Sequence, residues 1–117
     1  MDTRKKQQKF QEGLTAFNSA HFYDAHEHWE EVWLQTASPD KLFLQGLIQV
    51  AAAFHHYSRA NRQGCRNLLH AGLLKLDLFP AQHWGLAIEP LRAEVRWWLV
   101  ALAADKNPEP RNIPKIQ

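Results

Sequence analysis

The sequence predicts an all-α protein, a compact bundle of about five helices built from two helix hairpins with the third helix at its centre. Apolar residues recur at spacings of three and four along most of the chain, and no segment alternates as a strand would. The 117 residues, 45% of them hydrophobic, fit one domain that can bury a core without metals or disulfides. We expect a single helical domain over residues 1–105 and an extended tail over 106–117, because Pro108, Pro110 and Pro114 oppose a helix there.

Two apolar stripes predict the first hairpin. In the first helix, Phe10, Leu14 and Phe17 follow the i, i+4, i+7 pattern that places side chains on one face. The second helix carries a longer stripe, made of Phe22, Ala25, Trp29, Val32 and Trp33. Each apolar stripe has to be buried, so we expect both helices to face a common core.

The third helix is predicted to run from Asp40 to Ser58, with Ser38 as its N-cap and Pro39 at its first position. It is apolar nearly all round, which is typical of a central, buried helix. One strip differs, because the i, i+4, i+7, i+11 spacing places four residues on the same face: Gln45, Gln49, Ala52 and His56. Polar side chains along a buried helix need hydrogen-bond partners.

Asn61 can cap a fourth helix, and Pro90 can open a fifth. The fourth has the apolar stripe Cys65, Leu68, Leu69, Leu73 and Leu76, and the fifth has Leu91, Val95, Trp98 and Leu102. Between them, residues 78–89 are predicted to form a loop with a short helical turn. We expect Gly64 to mark a close helix contact, and Trp97 and Trp98 to divide between edge and core.

A weak internal repeat relates the two hairpins. At one constant offset, Leu14, Phe17, Ala25, Trp29 and Trp33 align with Phe54, Tyr57, Cys65, Leu69 and Leu73. The match lies in the apolar pattern and not in identity. It predicts two helix–turn–helix units of similar design that bury a core against each other, as helical repeats do.

Composition indicates the cellular compartment in which the protein works. The single Cys65 cannot form an intramolecular disulfide, which favours a reducing compartment, and we expect it to act as a small buried hydrophobe. No signal peptide is recognisable at the start of the chain. The most apolar stretch, residues 47–54, is far shorter than the roughly 20 residues of a membrane span. These features predict a soluble cytoplasmic protein without membrane association.

Charge gives little support for nucleic-acid binding. The net charge is only +2, and no aromatic residues are interleaved with the basic ones at the N-terminus, which are Arg4, Lys5, Lys6 and Lys9. Such runs are usually solvated helix faces. Five tryptophans are compatible with a homo-oligomer that associates through an apolar face.

The richest chemistry lies between His26 and Trp33, where two histidines, three glutamates and two tryptophans fall within one helix. With about 100° per residue, His26 falls within the apolar stripe and Glu30 lies one turn later on its flank. Glu27 falls on the wetter face. The inward pair is therefore predicted to be His26 and Glu30.

Two interpretations of this pair remain open. Helix bundles build metal sites from side chains one turn apart, so His26 and Glu30 could hold a divalent metal ion, with a further ligand from His55 or His56. The residue four positions after His26 is Glu30, so the His-Glu-x-x-His motif of zinc proteases is absent. The other interpretation is a structural network in which Glu30 accepts hydrogen bonds from His26, an indole or a glutamine.

Several of these motifs together resemble a known family. They are His26-Glu27-x-x-Glu30-x-x-Trp33 after Phe17-Asn18 and Phe22-Tyr23, Gln45-Gly46-Leu47-Ile48-Gln49 before His55-His56, Asn61-x-x-Gly64, and Pro114-x-Ile116. This pattern resembles the small bacterial family called domain of unknown function 309. Ala60 departs from it, since a glycine is expected there, and so does Cys65, where alanine is usual. The resemblance implies an all-helical fold and no particular activity, and it adds Glu27 to the candidate site.

These observations give one main functional hypothesis and two alternatives. The main one is a small binding protein with a pocket between the second and third helices for a divalent metal or a small polar ligand. The predicted lining residues are His26, Glu27, Glu30, Trp33, Gln45, Gln49 and His56. The first alternative is a helical-repeat-like module that binds a protein partner, in which the cluster is structural. The second is a metal-assisted hydrolase, which needs at least three converging ligands.

Overall fold

The computed structural model describes residues 1–110, 113 and 115–117. Within them the chain forms five helices, α1 (Thr3–Asn18), α2 (Phe22–Leu34), α3 (Asp40–Ser58), α4 (Arg62–Leu76) and α5 (Glu89–Ala103). Two short strands, β1 (Gln82–His83) and β2 (Leu86–Ala87), lie between α4 and α5. The all-α prediction is therefore confirmed. None of the described helices is both long enough and apolar enough to cross a bilayer.

The first four helices form two hairpins with the same turn. α1 and α3 end at Asn18 and Ser58, and α2 and α4 begin at Phe22 and Arg62, so both boundaries keep the offset of the sequence repeat. The turns place Ala20 at φ 62° and Ala60 at φ 61°, with equivalent backbone hydrogen bonds back into the preceding helix. This left-handed conformation satisfies carbonyl groups at a helix end. The predicted repeat is thus present in the backbone.

α3 occupies the centre, as predicted, and packs against α2 on one side and α4 on the other. Its approach to α4 is close because two glycines face each other. A Cβ on Gly46 would lie 3.2 Å from the carbonyl oxygen of Gly72, and one on Gly72 would lie 3.0 Å from that of Gly46. Eight of its residues are buried, namely Phe43, Leu44, Gly46, Leu47, Val50, Ala51, Ala53 and Phe54.

The predicted loop before α5 contains a β-hairpin, so the expectation of a short helical turn there is wrong. β1 and β2 pair antiparallel, with Gln82 opposite Ala87 and His83 opposite Leu86. Trp84 (φ 54°) and Gly85 (φ 72°) form the turn. Two successive residues with positive φ match the twist of a two-residue hairpin. The strands are too short to show an alternating pattern in the sequence.

Two arginines tie α5 to α4 at both of its ends. The buried Arg92 donates to the carbonyl oxygens of Leu76 (3.0 Å) and Phe79 (2.7 Å), at and just after the last turn of α4. Arg62, at the start of α4, donates to the carbonyl oxygen of Leu102 at the end of α5, over 3.1 Å. Each guanidinium thereby satisfies carbonyl groups that a helix end leaves without intrahelical partners.

The C-terminal tail returns to the first hairpin. Ile116 is buried, and its backbone exchanges two hydrogen bonds with the side chain of Asn18, at 2.9 and 3.1 Å. The backbone N–H of Ala87 donates to the carbonyl oxygen of Gln117. The described tail residues are not in α-helix. Pro114, on which part of the tail prediction and of the family resemblance rests, lies outside the described residues.

Several local predictions are confirmed and two are corrected. Asn61 accepts from the backbone N–H of Gly64 (2.9 Å) as the N-cap of α4, and Pro90 lies in the first turn of α5. Trp98 is buried and Trp97 is exposed. Ser38 is not the N-cap of α3, because Pro39 occupies that position without a side-chain hydrogen bond. Gly64 does not mark a close contact between helices. A Cβ on Gly64 would clash with the side chain of Asn61, the N-cap of the same helix.

Candidate functional site

His26 lies between two carboxylates on α2. Its Nε2 is 3.2 Å from Glu30 Oε2, one turn later, and its Nδ1 is 3.8 Å from Glu27 Oε1. The side chain of His26 is about one quarter exposed, whereas those of Glu27 and Glu30 are more than half exposed. His26 and Glu30 are therefore within ion-pair distance, as predicted. Glu30 is exposed almost as much as Glu27, so the expectation that it lies inward is wrong.

Tyr23 and His55 extend this cluster, although the sequence pattern predicts no role for Tyr23. The Tyr23 ring stacks on His26 with centroids 6.0 Å apart and lies 5.1 Å from the His55 ring on α3. A hydrogen bond to Glu27 raises the pKa of Tyr23 above its usual value. Burial, followed by the charges of Arg59, His56 and His26, lowers the pKa of His55. The i, i+3, i+4 spacing of Tyr23, His26 and Glu27 is the signal that could have found it.

Trp33 meets α3 through Lys41. The Lys41 ammonium lies 4.1 Å from the centroid of the Trp33 ring, a cation–π contact that joins the end of α2 to the start of α3. Gln45 follows Lys41 by one turn and is partly buried. We call the surface formed by Tyr23, His26, Glu30, Trp33, Lys41 and His55 the α2–α3 face.

The other two predicted residues belong to different contacts. Gln49 is partly buried and its Cβ lies 3.4 Å from where a Cβ on Gly72 would be, so it borders α4. His56 Nδ1 lies 3.1 Å from Asn61 Nδ2 at the turn of the second hairpin. Of the two adjacent histidines, His55 is the one that contacts the α2–α3 face. The structure therefore brings His26, Glu27 and Glu30 together but not His56.

Three buried side-chain polar atoms have no hydrogen-bond partner in the part of the chain that the structure describes. They are His26 Nδ1, Trp33 Nε1 and Gln49 Oε1. Leaving such an atom unpaired costs about 1–3 kcal/mol. All three belong to the seven residues predicted for the site. Two are on α2, and the third is on the polar strip of the central helix.

The metal interpretation lacks a full ligand set among the described residues. No group of three or more His, Cys, Asp or Glu side chains there is close enough to hold one ion. The His26–Glu30 pair supplies two ligand atoms. A catalytic zinc site uses three protein ligands, so the hydrolase hypothesis has no third ligand in this part of the chain.

None of three cavities in the described structure includes the central pair of this cluster. One of about 350 Å³ is lined by Tyr23, Asp24 and His55, and another of about 680 Å³ lies between α1 and the side of α2 that carries His28. The roomiest of the three, about 780 Å³, lies between α1, the loop after α2 and Trp84. The α2–α3 face is accordingly a shallow surface with half-exposed carboxylates, and not a closed pocket.

Comparison with known proteins agrees with these motifs. The family model described as "Domain of unknown function (DUF309)" matches residues 10–68, about half of the chain. An uncharacterized protein of Aquifex aeolicus (strain VF5) is 35% identical over 83 residues, which are 70% of this chain and 25% of that protein. The chain thus spans about a quarter of the length of this relative. The matched region contains α2 and α3, and the chain belongs to the DUF309 family.

Proposed function

We propose that this protein is a small binding protein that holds a small polar ligand on the α2–α3 face. The observation that carries the proposal is that two buried polar atoms of this face, His26 Nδ1 and Trp33 Nε1, have no hydrogen-bond partner among the described residues. Buried polar atoms are nearly always paired in folded proteins, with the protein, with water or with a ligand. Both atoms belong to residues selected from the sequence, which supports a shared role for them.

The chemistry of these atoms limits the ligand. Trp33 Nε1 is a donor. His26 Nδ1 donates or accepts according to the tautomer of the ring. A complementary ligand therefore offers an acceptor to Trp33 and either a donor or an acceptor to His26.

A divalent metal is the other ligand that His26 and Glu30 could hold. Their facing atoms are 3.2 Å apart, a separation that two ligands of one ion can share. The described residues supply no third ligand, so solvent or a second molecule would have to complete the coordination. This deficit favours the organic polar ligand over the metal.

Mass spectrometry on tag-free protein tests the proposal. Native spectra report a co-purifying small molecule and elemental spectra report a metal, for the wild type and for the double variant His26→Ala/Glu30→Ala. The matched control is His28→Ala/Glu31→Ala on the same helix, because His28 contacts Glu12 and Glu31 contacts Lys9 on the side that faces α1. We expect a bound species that the first double variant loses and the second keeps. Identical spectra for all three proteins, after the same ligands have been added back, would refute it.

A second candidate function is a helical-repeat-like module that binds a protein partner. It is favoured by the repeated hairpin turns and by exposed apolar side chains on α5, where Trp97 is 53% and Val100 71% exposed. These two residues share one face at i, i+3 spacing. Light scattering after size-exclusion chromatography tests whether that partner is a second copy. A dimer that Trp97→Gln converts to monomer supports the module, whereas a concentration-independent monomer excludes self-association.

A further inference from the structure

A cleft beside α1 forms a second candidate binding site. It lies between α1, the loop after α2 and the hairpin, and its lining includes Lys6, Gln7, Phe10, Gln11, Asp40 and Trp84. We call it the Trp84 cleft. Its volume of about 780 Å³ falls within the range of roughly 300–1,000 Å³ that small-molecule sites occupy.

The floor of the Trp84 cleft is aromatic. The rings of Phe10 and Trp84 meet edge to face with centroids 5.1 Å apart, and Trp84 also lies 5.5 Å from Phe43. The turn holds Trp84 at a positive φ and leaves its side chain 39% exposed. The partly exposed indole lines the cleft and offers aromatic surface to a planar ring.

One wall of the cleft carries the ammonium group of Lys6, which has no carboxylate partner among the described residues. Lys6 Nζ donates to the carbonyl oxygen of Gln35 (2.8 Å), and none of the ion pairs formed by the described residues includes it. Lys9, on the same helix, is instead paired with Glu12 and Glu31. An ammonium has three donors, so Lys6 keeps two for an anionic group.

The remaining polar groups are compatible with an anion at Lys6. Asp40 is the carboxylate among the lining residues, and its Oδ1 is engaged by His83 Nε2 at 3.1 Å. Gln7 and Gln11 are one turn apart on the wall of α1, and both are exposed. Their amides can donate to or accept from polar substituents on a ring.

We propose that the Trp84 cleft binds a planar aromatic carboxylate, with the ring against Trp84 and the carboxylate on Lys6. This site is separate from the α2–α3 face, and its occupation does not depend on the function proposed there. The combination of an exposed indole with a cation that forms no ion pair among the described residues is what selects this class over a neutral ring.

Isothermal titration calorimetry with 2-naphthoate, and with the neutral 2-naphthamide as its matched analogue, tests the proposal. We expect one naphthoate per chain and binding of the amide weaker by about tenfold, since one charge-assisted contact is worth on the order of a factor of ten. Lys6→Met should weaken naphthoate binding to the level of the amide. Lys5→Met, a neighbour outside the cleft, should leave it unchanged.

Two further variants keep the test decisive. Lys6→Gln replaces Lys6→Met if the latter unfolds, because Lys6 also binds the backbone carbonyl that follows α2. Trp84→Ala should weaken both probes, and His26→Ala/Glu30→Ala should affect neither. Absence of saturable naphthoate binding, equal affinity for the two probes, or equal losses in the Lys5 and Lys6 variants would overturn the proposal.

Discussion

Ala20 and Ala60, at equivalent positions of the two hairpins, adopt the same left-handed conformation, with φ values of 62° and 61°. Each follows the end of a helix and donates its backbone N–H to the carbonyl oxygen three positions earlier, that of Phe17 or of Tyr57. An L-residue in this region is strained by its Cβ. The two hairpins therefore share a turn that would suit glycine better than the alanine they carry.

Glycine at these two turns should stabilise the protein. We expect Ala20→Gly and Ala60→Gly each to raise the free energy of unfolding by about 0.5–1 kcal/mol, because the native conformation no longer crowds a Cβ. Urea unfolding monitored by circular dichroism gives this quantity. Ala52→Gly, inside α3, is the control and should lower it by about 1 kcal/mol. A loss of stability in both turn variants would contradict the account of the repeat.

Replacement of Gly13, which packs against Trp29, should lower the free energy of unfolding. The indole lies where a Cβ on Gly13 would be, and its Nε1 donates to the carbonyl oxygen of Phe10 at 3.2 Å. Gly13→Ala must displace a fully buried side chain, which overpacking data put at about 1–3 kcal/mol. Thr15→Ala, exposed on the same helix, should stay within about 0.5 kcal/mol of the wild type. Equal midpoints of urea unfolding for the two variants would show that α1 and α2 pack differently.

Cys65 should resist alkylation while the protein is folded. Burial raises the pKa of its thiol to about 12, so at neutral pH almost none is thiolate, the reactive form. We expect iodoacetamide to modify it only in denaturant. Mass spectrometry of samples taken with and without urea measures this directly, and rapid labelling of the native protein would show that α4 opens readily.

His55 should contribute a pH dependence to stability. Burial is the largest cause that lowers the pKa of His55 below its usual value of 6.5. The unfolded chain therefore binds the proton first, and stability is lost as the pH falls from about 6.5 toward the lowered folded value. His55→Gln should reduce the difference in unfolding midpoint between about pH 7.5 and 5.5. The exposed His70→Gln serves as control, and equal pH dependence in the two variants would refute the assignment.

The helices of the second hairpin could be predicted from the sequence because their boundaries carry local signals. α3 spans the predicted residues, Asp40 to Ser58, and Asn61 caps α4 as expected. The β-hairpin could not be found from the periodicity of apolar residues, since each strand has only two residues. The sequence feature that marks the hairpin is Gly85 after Trp84, because both residues of the turn have positive φ.

The candidate site was predictable on α2 and less so on α3. One helix fixes the relative directions of His26, Glu27 and Glu30, so the helical wheel predicted that His26 and Glu30 approach each other. It was wrong to place Glu30 inward, because Glu30 is exposed almost as much as Glu27. Which α3 histidine meets them depends on how the two helices are rotated against each other. The sequence favoured His56 on the polar strip, whereas tertiary packing sets His55 beside Tyr23 and ties His56 to Asn61.

The hydrogen-bond donor of Trp33 offers the most direct test of the binding proposal. Nuclear magnetic resonance of protein with ¹⁵N-labelled tryptophan resolves each indole N–H, and Trp33→Phe identifies the Trp33 signal. We would titrate this protein with Zn²⁺, with Mg²⁺ and with the low-molecular-weight fraction of a bacterial extract. The account predicts a saturable shift at Trp33 and none at the exposed Trp97, with the shift absent in His26→Ala/Glu30→Ala. No shift at Trp33 with any of the three, or the same shift in that double variant, would contradict it.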